Sequence, residues 1–212
     1  MNGKDSPPTE LVHVVDDDPD MRDGLASLLR SVGMQVACHA SVAAFEAAPR
    51  PDVASCLLLD VRMQGASGLD LQDRLNREGG GPPVVFMTGY GDIPMTVRAM
   101  KGGAVDFLTK PFREQDLLDA VERALAGDRA GRSRRDVQRE LEARHASLTA
   151  RERQVMALAA RGLMNKQIAG EIGTSEITVK IHRGNAMRKM GARTFADLVR
   201  MTEALDQAST HT

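Results

Sequence analysis

Five short apolar runs, LVHVV (11–15), VAC (36–38), CLLL (56–59), VVFM (84–87) and VDFL (105–108), alternate with longer segments of helical period across the first 126 residues of this 212-residue chain. Runs this short, apolar and rich in β-branched residues read as strands buried on both faces. Between them, sets such as Met21, Leu25, Leu28, Leu29 and Leu117, Leu118, Val121, Leu125 recur near the 3.6-residue period, and Gly33, Gly102 and Gly127 stand where helices should stop. Regular strand–helix alternation predicts an α/β fold, a five-stranded parallel doubly wound (βα)5 sheet with helices on both faces.

In such a sheet a ligand sits beyond the carboxyl ends of the strands, so the residues that follow each strand form one set. The first run ends in Asp16 and Asp17, the third in Asp60, the fourth in Thr88 and the fifth in Lys110. Clustered carboxylates raise one another's pKa unless a cation joins them, and hard oxygen ligands suit Mg2+, which keeps several waters. The set therefore points to a metal seat at Asp16 and Asp17, with Asp60 kept ionised as a nucleophile toward a phosphoryl group and Thr88 and Lys110 closing the clamp. Asp18 and Asp20 are assigned to the start of the next helix, as cap and dipole partner. His13, inside a strand, reads as a core or edge histidine. "GGGPP" (79–83) lacks the Lys-Ser/Thr of a phosphate loop and reads as a turn, while Cys38 and Cys56 form no CxxC pair and read as packing residues.

The stretches "VVDDDPDMR", "LLLDVRM", "VVFMTGYGDIPMTVRAM" and "GAVDFLTKPF", in this order and spacing, resemble the receiver domain of two-component response regulators over roughly residues 10–127. The resemblance implies a sheet of strand order 2-1-3-4-5 in which Asp60 accepts phosphate from a sensor histidine kinase. It also implies Mg2+, with Mn2+ as a substitute, held by Asp16, Asp17, Asp60 and the backbone carbonyl of Arg62. Thr88 and Phe107 match the family's switch hydroxyl and switch aromatic, and Lys110 its site lysine. A dimer face on the fourth helix and fifth strand, with Val97 and Lys101 as contacts, follows from the same resemblance. Gln64 departs from the pattern, since relatives often carry proline there, which puts the geometry of the loop after Asp60 in question. Arg62 stands where a paired-aspartate phosphatase would need its second Asp, so the chain is expected to be no enzyme but a phosphoacceptor that assists its own phosphoryl transfer and dephosphorylation.

The second half has a different character. Residues 1–127 carry 12 Lys and Arg against 19 Asp and Glu, a net −7, whereas residues 128–212 carry 16 against 10, a net +6. A basic half is the electrostatic footprint of nucleic-acid binding, though a solvated surface has the same composition. Thr149 with Glu152 forms a capping box, Gly162, Gly173 and Gly191 punctuate the helices, and Ser175 caps a longer basic one. A short helix, a turn and a longer basic helix make the helix-turn-helix layout. "LTARERQVMALAARGLMNKQIAGEIGTSEITVKIHRGNAMRKMGA" is similar to the LuxR-type DNA-binding domain, and the two halves together resemble the NarL/FixJ family of transcription regulators. By that resemblance Lys180 and Ile181 reach base edges, and Thr178, Arg183 and Arg188 lie nearer phosphates, while Gly184 replaces a frequent polar base reader.

The expected organisation is thus a disordered arm at 1–9, a receiver at 10–127, a charged linker at 128–147 and a helix-turn-helix domain at 148–205, then a flexible tail at 206–212. The linker reads as a charged helix interrupted near Gly131 or a tether, with helix preferred. Expected partners are a sensor histidine kinase, double-stranded promoter DNA and a second copy of the chain when phosphorylated, with RNA polymerase as a further candidate. With no apolar run long enough to cross a bilayer and no signal-peptide layout, a cytoplasmic protein is expected. The competing reading is a constitutive DNA-binding regulator whose receiver phosphate never switches.

Overall fold

The computed structural model describes residues 10–63, 66–89 and 93–209. The chain divides into two compact units, at residues 132 and 133.

In the first unit the strands β1 (Glu10–Val15), β2 (Val36–His39), β3 (Ala54–Asp60), β6 (Val84–Thr88) and β7 (Asp106–Thr109) form one parallel sheet of order β2-β1-β3-β6-β7. This is the expected five-stranded sheet. The helices α1 (Pro19–Ser31), α2 (Val42–Ala47), α3 (Gly68–Arg77), α4 (Ile93–Lys101) and α5 (Glu114–Ala146) alternate with them. Because side chains alternate along a strand, Val12, Val14, Cys56, Leu58, Val85 and Met87 pack with Leu25, Leu29, Leu117 and Val121 of α1 and α5. Their neighbours Leu57, Leu59 and Phe86 pack with Phe45, Leu71, Leu75 and Ala99 of α2, α3 and α4. The sheet is therefore dry on both faces, and only its edges and strand ends meet water.

One small element lies outside what periodicity can show. Two-residue strands β4 (Arg62–Met63) and β5 (Ala66–Ser67) pair antiparallel just after Asp60. Gln64 falls between them, outside the described residues, as does the 1–9 arm.

Gly127 does not end a helix, and nothing interrupts α5 near Gly131; α5 continues for 33 residues. Both glycines keep negative φ. The reason lies in side chains of the stretch read as a linker. Asp128 is buried, accepting from the Ser55 N–H at 2.9 Å and from Arg132 Nε at 2.8 Å, and Arg132 also pairs with Asp52. Residues 128–132 are thereby built into the first unit.

The second unit contains the end of α5 with α6 (Ala150–Ala160), α7 (Asn165–Ile172), α8 (Glu176–Met190) and α9 (Phe195–Ser209). The Thr149 hydroxyl accepts from the Glu152 N–H, and the Glu152 carboxylate accepts from the Thr149 N–H at 2.8 Å, completing the expected capping box. Gly173 ends α7 with φ 66°, a left-handed conformation that favours glycine. Two apolar clusters hold the unit: Val155, Leu158, Ile168, Ile172 and Val179 between α6, α7 and α8, and Leu148, Met156, Ala186, Met190 and Leu198 where α9 docks. The expected tail from 206 is instead helical to Ser209, because Leu205 packs on the second cluster and carries α9 onward. Residues 210–212 lie outside the description.

Candidate functional site

Asp16 follows β1 and is fully enclosed. Its backbone N–H reaches the His39 carbonyl of β2, its own carbonyl accepts from Arg22 Nη1 at 2.7 Å, and its Oδ1 accepts from the Asp18 N–H at 2.9 Å. These bonds fix a buried carboxylate whose other oxygen, Oδ2, faces Lys110 Nζ at 2.7 Å. Asp18 caps α1, accepting from the N–H groups of Asp20 and Met21, the capping role expected of it.

Asp60 ends β3 opposite Met87 of β6. One oxygen accepts from the Arg62 N–H at 3.3 Å, and the other lies 3.4 Å from Lys110 Nζ. Lys110 arrives from the far end of β7, where its N–H bonds the Thr88 carbonyl at 2.7 Å. Thr88 itself is buried at the end of β6. Phe107, two residues into β7, is half-buried with its ring 6.3 Å from that of Phe86. Burial, with the Asp16 charge adding, pushes the Asp60 carboxyl above its ordinary value against the opposing pull of Lys110. Burial also works against the Lys110 ammonium, but the bond to Asp16 and the charges of Asp60 and Asp16 outweigh it and hold its pKa raised.

Carboxylate oxygens of Asp16, Asp17 and Asp60 come within 4.8 Å of one another. Oxygens around an octahedral Mg2+ at about 2.1 Å lie roughly 2.9 to 4.2 Å apart, so small side-chain rotations complete the fit. Two of these carboxylates, Asp16 and Asp60, share the single Lys110 ammonium, and a divalent cation would ease the repulsion between them. The donor set therefore suits the ion that the sequence predicts.

In the second unit, Val179, Ala186 and Met190 of α8 are buried, while Lys180, Ile181, Gly184 and Arg188 are exposed. The Thr178 hydroxyl is shared with Ser175 at 2.9 Å. Arg183, expected near phosphate, is half-buried: its guanidinium stacks 4.2 Å over the Phe195 ring and donates to Asn165 at 3.1 Å, tying α7, α8 and α9 together. Lys189 is likewise drawn inward, donating to buried Glu152 at 2.7 Å. The Lys189 ammonium and the Thr149 N–H hold the Glu152 carboxyl well below the ordinary range, at about 2. The sequence reading also missed Ile177, exposed one turn before Ile181; only its position on the outer face of α8 signals it. On α4, Val97 and Lys101 are exposed, joined by Ile93 and Met100 at helical spacing.

Residues 12–122 match the response regulator receiver domain, and residues 146–202 match the bacterial regulatory proteins of the luxR family. Nodulation protein W of Bradyrhizobium diazoefficiens is 54% identical over 202 residues, covering 95% of this chain and 89% of that protein. The chain is a response regulator of the NarL/FixJ family. The regulator is also similar to transcriptional regulatory protein FixJ of Azorhizobium caulinodans, at 45% identity over 90% of each chain. Among solved structures it resembles the response regulator StyR, with a TM-score of 0.85 and 51% identity over 92% of this chain and 98% of that one. Among the described residues no helix is long and apolar enough to cross a membrane.

Proposed function

We propose that the regulator is switched by phosphate at Asp60, received from a sensor histidine kinase in a Mg2+-dependent reaction, and that phosphorylation favours a dimer which binds promoter DNA. The observation that carries this reading is the placing of Lys110 Nζ between Asp16 and Asp60, with Asp17 within ligand distance. Asp16, Asp17, Asp60 and the Arg62 carbonyl would hold the ion. Bound there, Mg2+ would supply neutralising charge at the phosphoryl oxygens.

The chain's own residues account for the rest. An Asp60 oxygen attacks phosphorus as the bond to the donor imidazole breaks, and Lys110 moves its hydrogen bond from Asp60 to the new phosphoryl group. The Thr88 hydroxyl turns toward the same group, and half-buried Phe107 fills the space it leaves, which changes the surface of α4 and β7. Moving a population from 1:99 to 99:1 takes about 5.5 kcal/mol, and two charge-assisted hydrogen bonds of roughly 1.5 to 3 kcal/mol each supply much of it. Exposed Val97 and Lys101 on α4 are the proposed dimer contacts. The protein acts here as a stoichiometric phosphoacceptor that assists its own phosphorylation and dephosphorylation, not as an enzyme on outside substrates.

The test is incubation of the full chain with Mg2+ and a small acyl phosphate, following Asp60 modification, dimer mass and DNA affinity together. All three should rise in the wild type and none in Asp60→Asn. Equal DNA binding and equal mass in both proteins would defeat the switch.

A further inference from the structure

Opposite the buried residues Val179, Ala186 and Met190, α8 carries Ile177, Ile181, Gly184 and Arg188 at spacings of one helical turn. The two isoleucines are 74% and 57% exposed. Single exposed apolar residues are ordinary. Two in line on the face directed away from the core are harder to account for, since no described residue of the unit covers them. Gly184 continues the same line. A Cβ placed there would meet nothing within 4 Å, and its φ is not left-handed. Neither the helix nor its neighbours call for glycine, which in a helix interior costs roughly 0.5–1 kcal/mol against alanine. The residue makes sense if something outside the chain comes close to the backbone there.

Lys180 and Arg188 of the same helix are exposed cations, Arg188 in line with the isoleucines and Lys180 beside them. An apolar strip flanked by positive charge fits a DNA major groove better than it fits an apolar protein surface, because the groove presents thymine methyl groups between two rows of phosphates. We propose, resting on the DNA-binding reading above, that Ile177 and Ile181 contact two thymine methyl groups, and that Gly184 lets α8 sit close against the bases where a side chain would hold it off. Four residues at 1.5 Å per residue put the two isoleucines about 6 Å apart along the helix, close to two base-pair steps of roughly 3.4 Å. Each half-site should therefore hold two thymines within two or three base pairs of one another. Specificity at those positions comes from methyl burial, with Lys180 and Arg188 supplying hydrogen bonds and charge around it.

The experiment selects a binding sequence from a random duplex library with the full chain, in the presence of Mg2+ and a small acyl phosphate. The selected duplex is then remade with each thymine replaced in turn by deoxyuridine, which removes the methyl and leaves the base pair intact. At two nearby positions the wild type should bind roughly three- to fivefold more weakly, the size expected for one buried methyl. Ile177→Ala should lose the distinction at one of these positions and Ile181→Ala at the other, as coupling in a double-mutant cycle. Gly184→Ala should keep or raise the melting temperature while weakening DNA binding. Deoxyuridine without effect at every position, or an effect that persists in both alanine variants, overturns methyl reading while leaving DNA binding intact. A Gly184→Ala protein that binds as tightly as wild type overturns the close approach. Selection of no sequence at all removes the DNA-binding reading itself, and this inference with it.

Discussion

The Lys110 ammonium donates to the Asp16 carboxylate at 2.7 Å, and of that pair the aspartate is fully enclosed while the lysine keeps an edge toward solvent. Removing the lysine strands a buried charge. Such a loss typically costs about 3–5 kcal/mol, so Lys110→Met should be less stable than wild type by an amount near the low end of that range. An added divalent cation then has less positive charge to compete with. In urea titrations Mg2+ should raise the stability of Lys110→Met more than that of the wild type; an equal or smaller gain would count against a shared cation seat.

His13 Nδ1 and His39 Nε2 lie 3.1 Å apart, with both rings edge-on to Phe45. Burial, then the charges of His39 and Arg50, lower the His13 pKa from 6.5 to about 4, and burial lowers that of His39 as well. The folded state therefore favours neutral rings. Above pH 6.5 this contribution is fully present, and it is lost as pH falls toward 4, where the unfolded chain binds the proton more readily. For His13 the loss is on the order of 3 kcal/mol at about 1.36 kcal/mol per pH unit. Denaturant midpoints measured from pH 7 to pH 4 should fall steeply for the wild type and less steeply for His13→Leu.

Asp128 is the acceptor for the Ser55 N–H at the start of β3. Truncating it leaves that buried donor unpaired and leaves Arg132 with Asp52 in place of two carboxylate partners, a change worth roughly 1–3 kcal/mol. Asp128→Ala should therefore destabilise the receiver unit, whereas truncation of an ordinary linker residue should leave stability within about 0.5 kcal/mol. Urea unfolding of the two variants separates the cases.

Two glycines should respond with opposite sign. Gly127 lies in the interior of α5 with open space where a Cβ would stand, so Gly127→Ala should stabilise the chain by about 0.4–1 kcal/mol. A Cβ on Gly68, at the start of α3, would come within 2.5 Å of the Asp60 carbonyl oxygen. Gly68→Ala should lower the melting temperature and, under the proposed switch, slow phosphorylation of Asp60, because the clash is with backbone and is relieved by a shift of the chain at Asp60 or at Gly68.

The sheet and the residues at its strand ends are legible without coordinates. Buried parallel strands need unbroken apolar runs, and residues such as Asp60 and Lys110 are out of place in an apolar strand unless they end it. The capping signals at Thr149 and Ser175 are equally local, since each bonds an N–H three residues away. The β4–β5 pair is not legible, being too short to leave a period. The persistence of α5 through Gly127 and Gly131 also escapes local rules, because the side chains that hold it reach Ser55 and Asp52, more than seventy residues back in the chain.

The same division runs through the sites. Residue order alone determined which carboxylates, hydroxyl and amine come to one end of the sheet, because a parallel strand–helix alternation sends every strand end to the same edge. Tertiary structure alone decided which cations of α8 remain at the surface. Arg183, Arg188 and Lys189 look alike in sequence, but Phe195 with Asn165 captures the first and Glu152 the last. A cation's partner is chosen by what packs beside it in three dimensions, and helical spacing specifies only the direction in which its side chain leaves the helix.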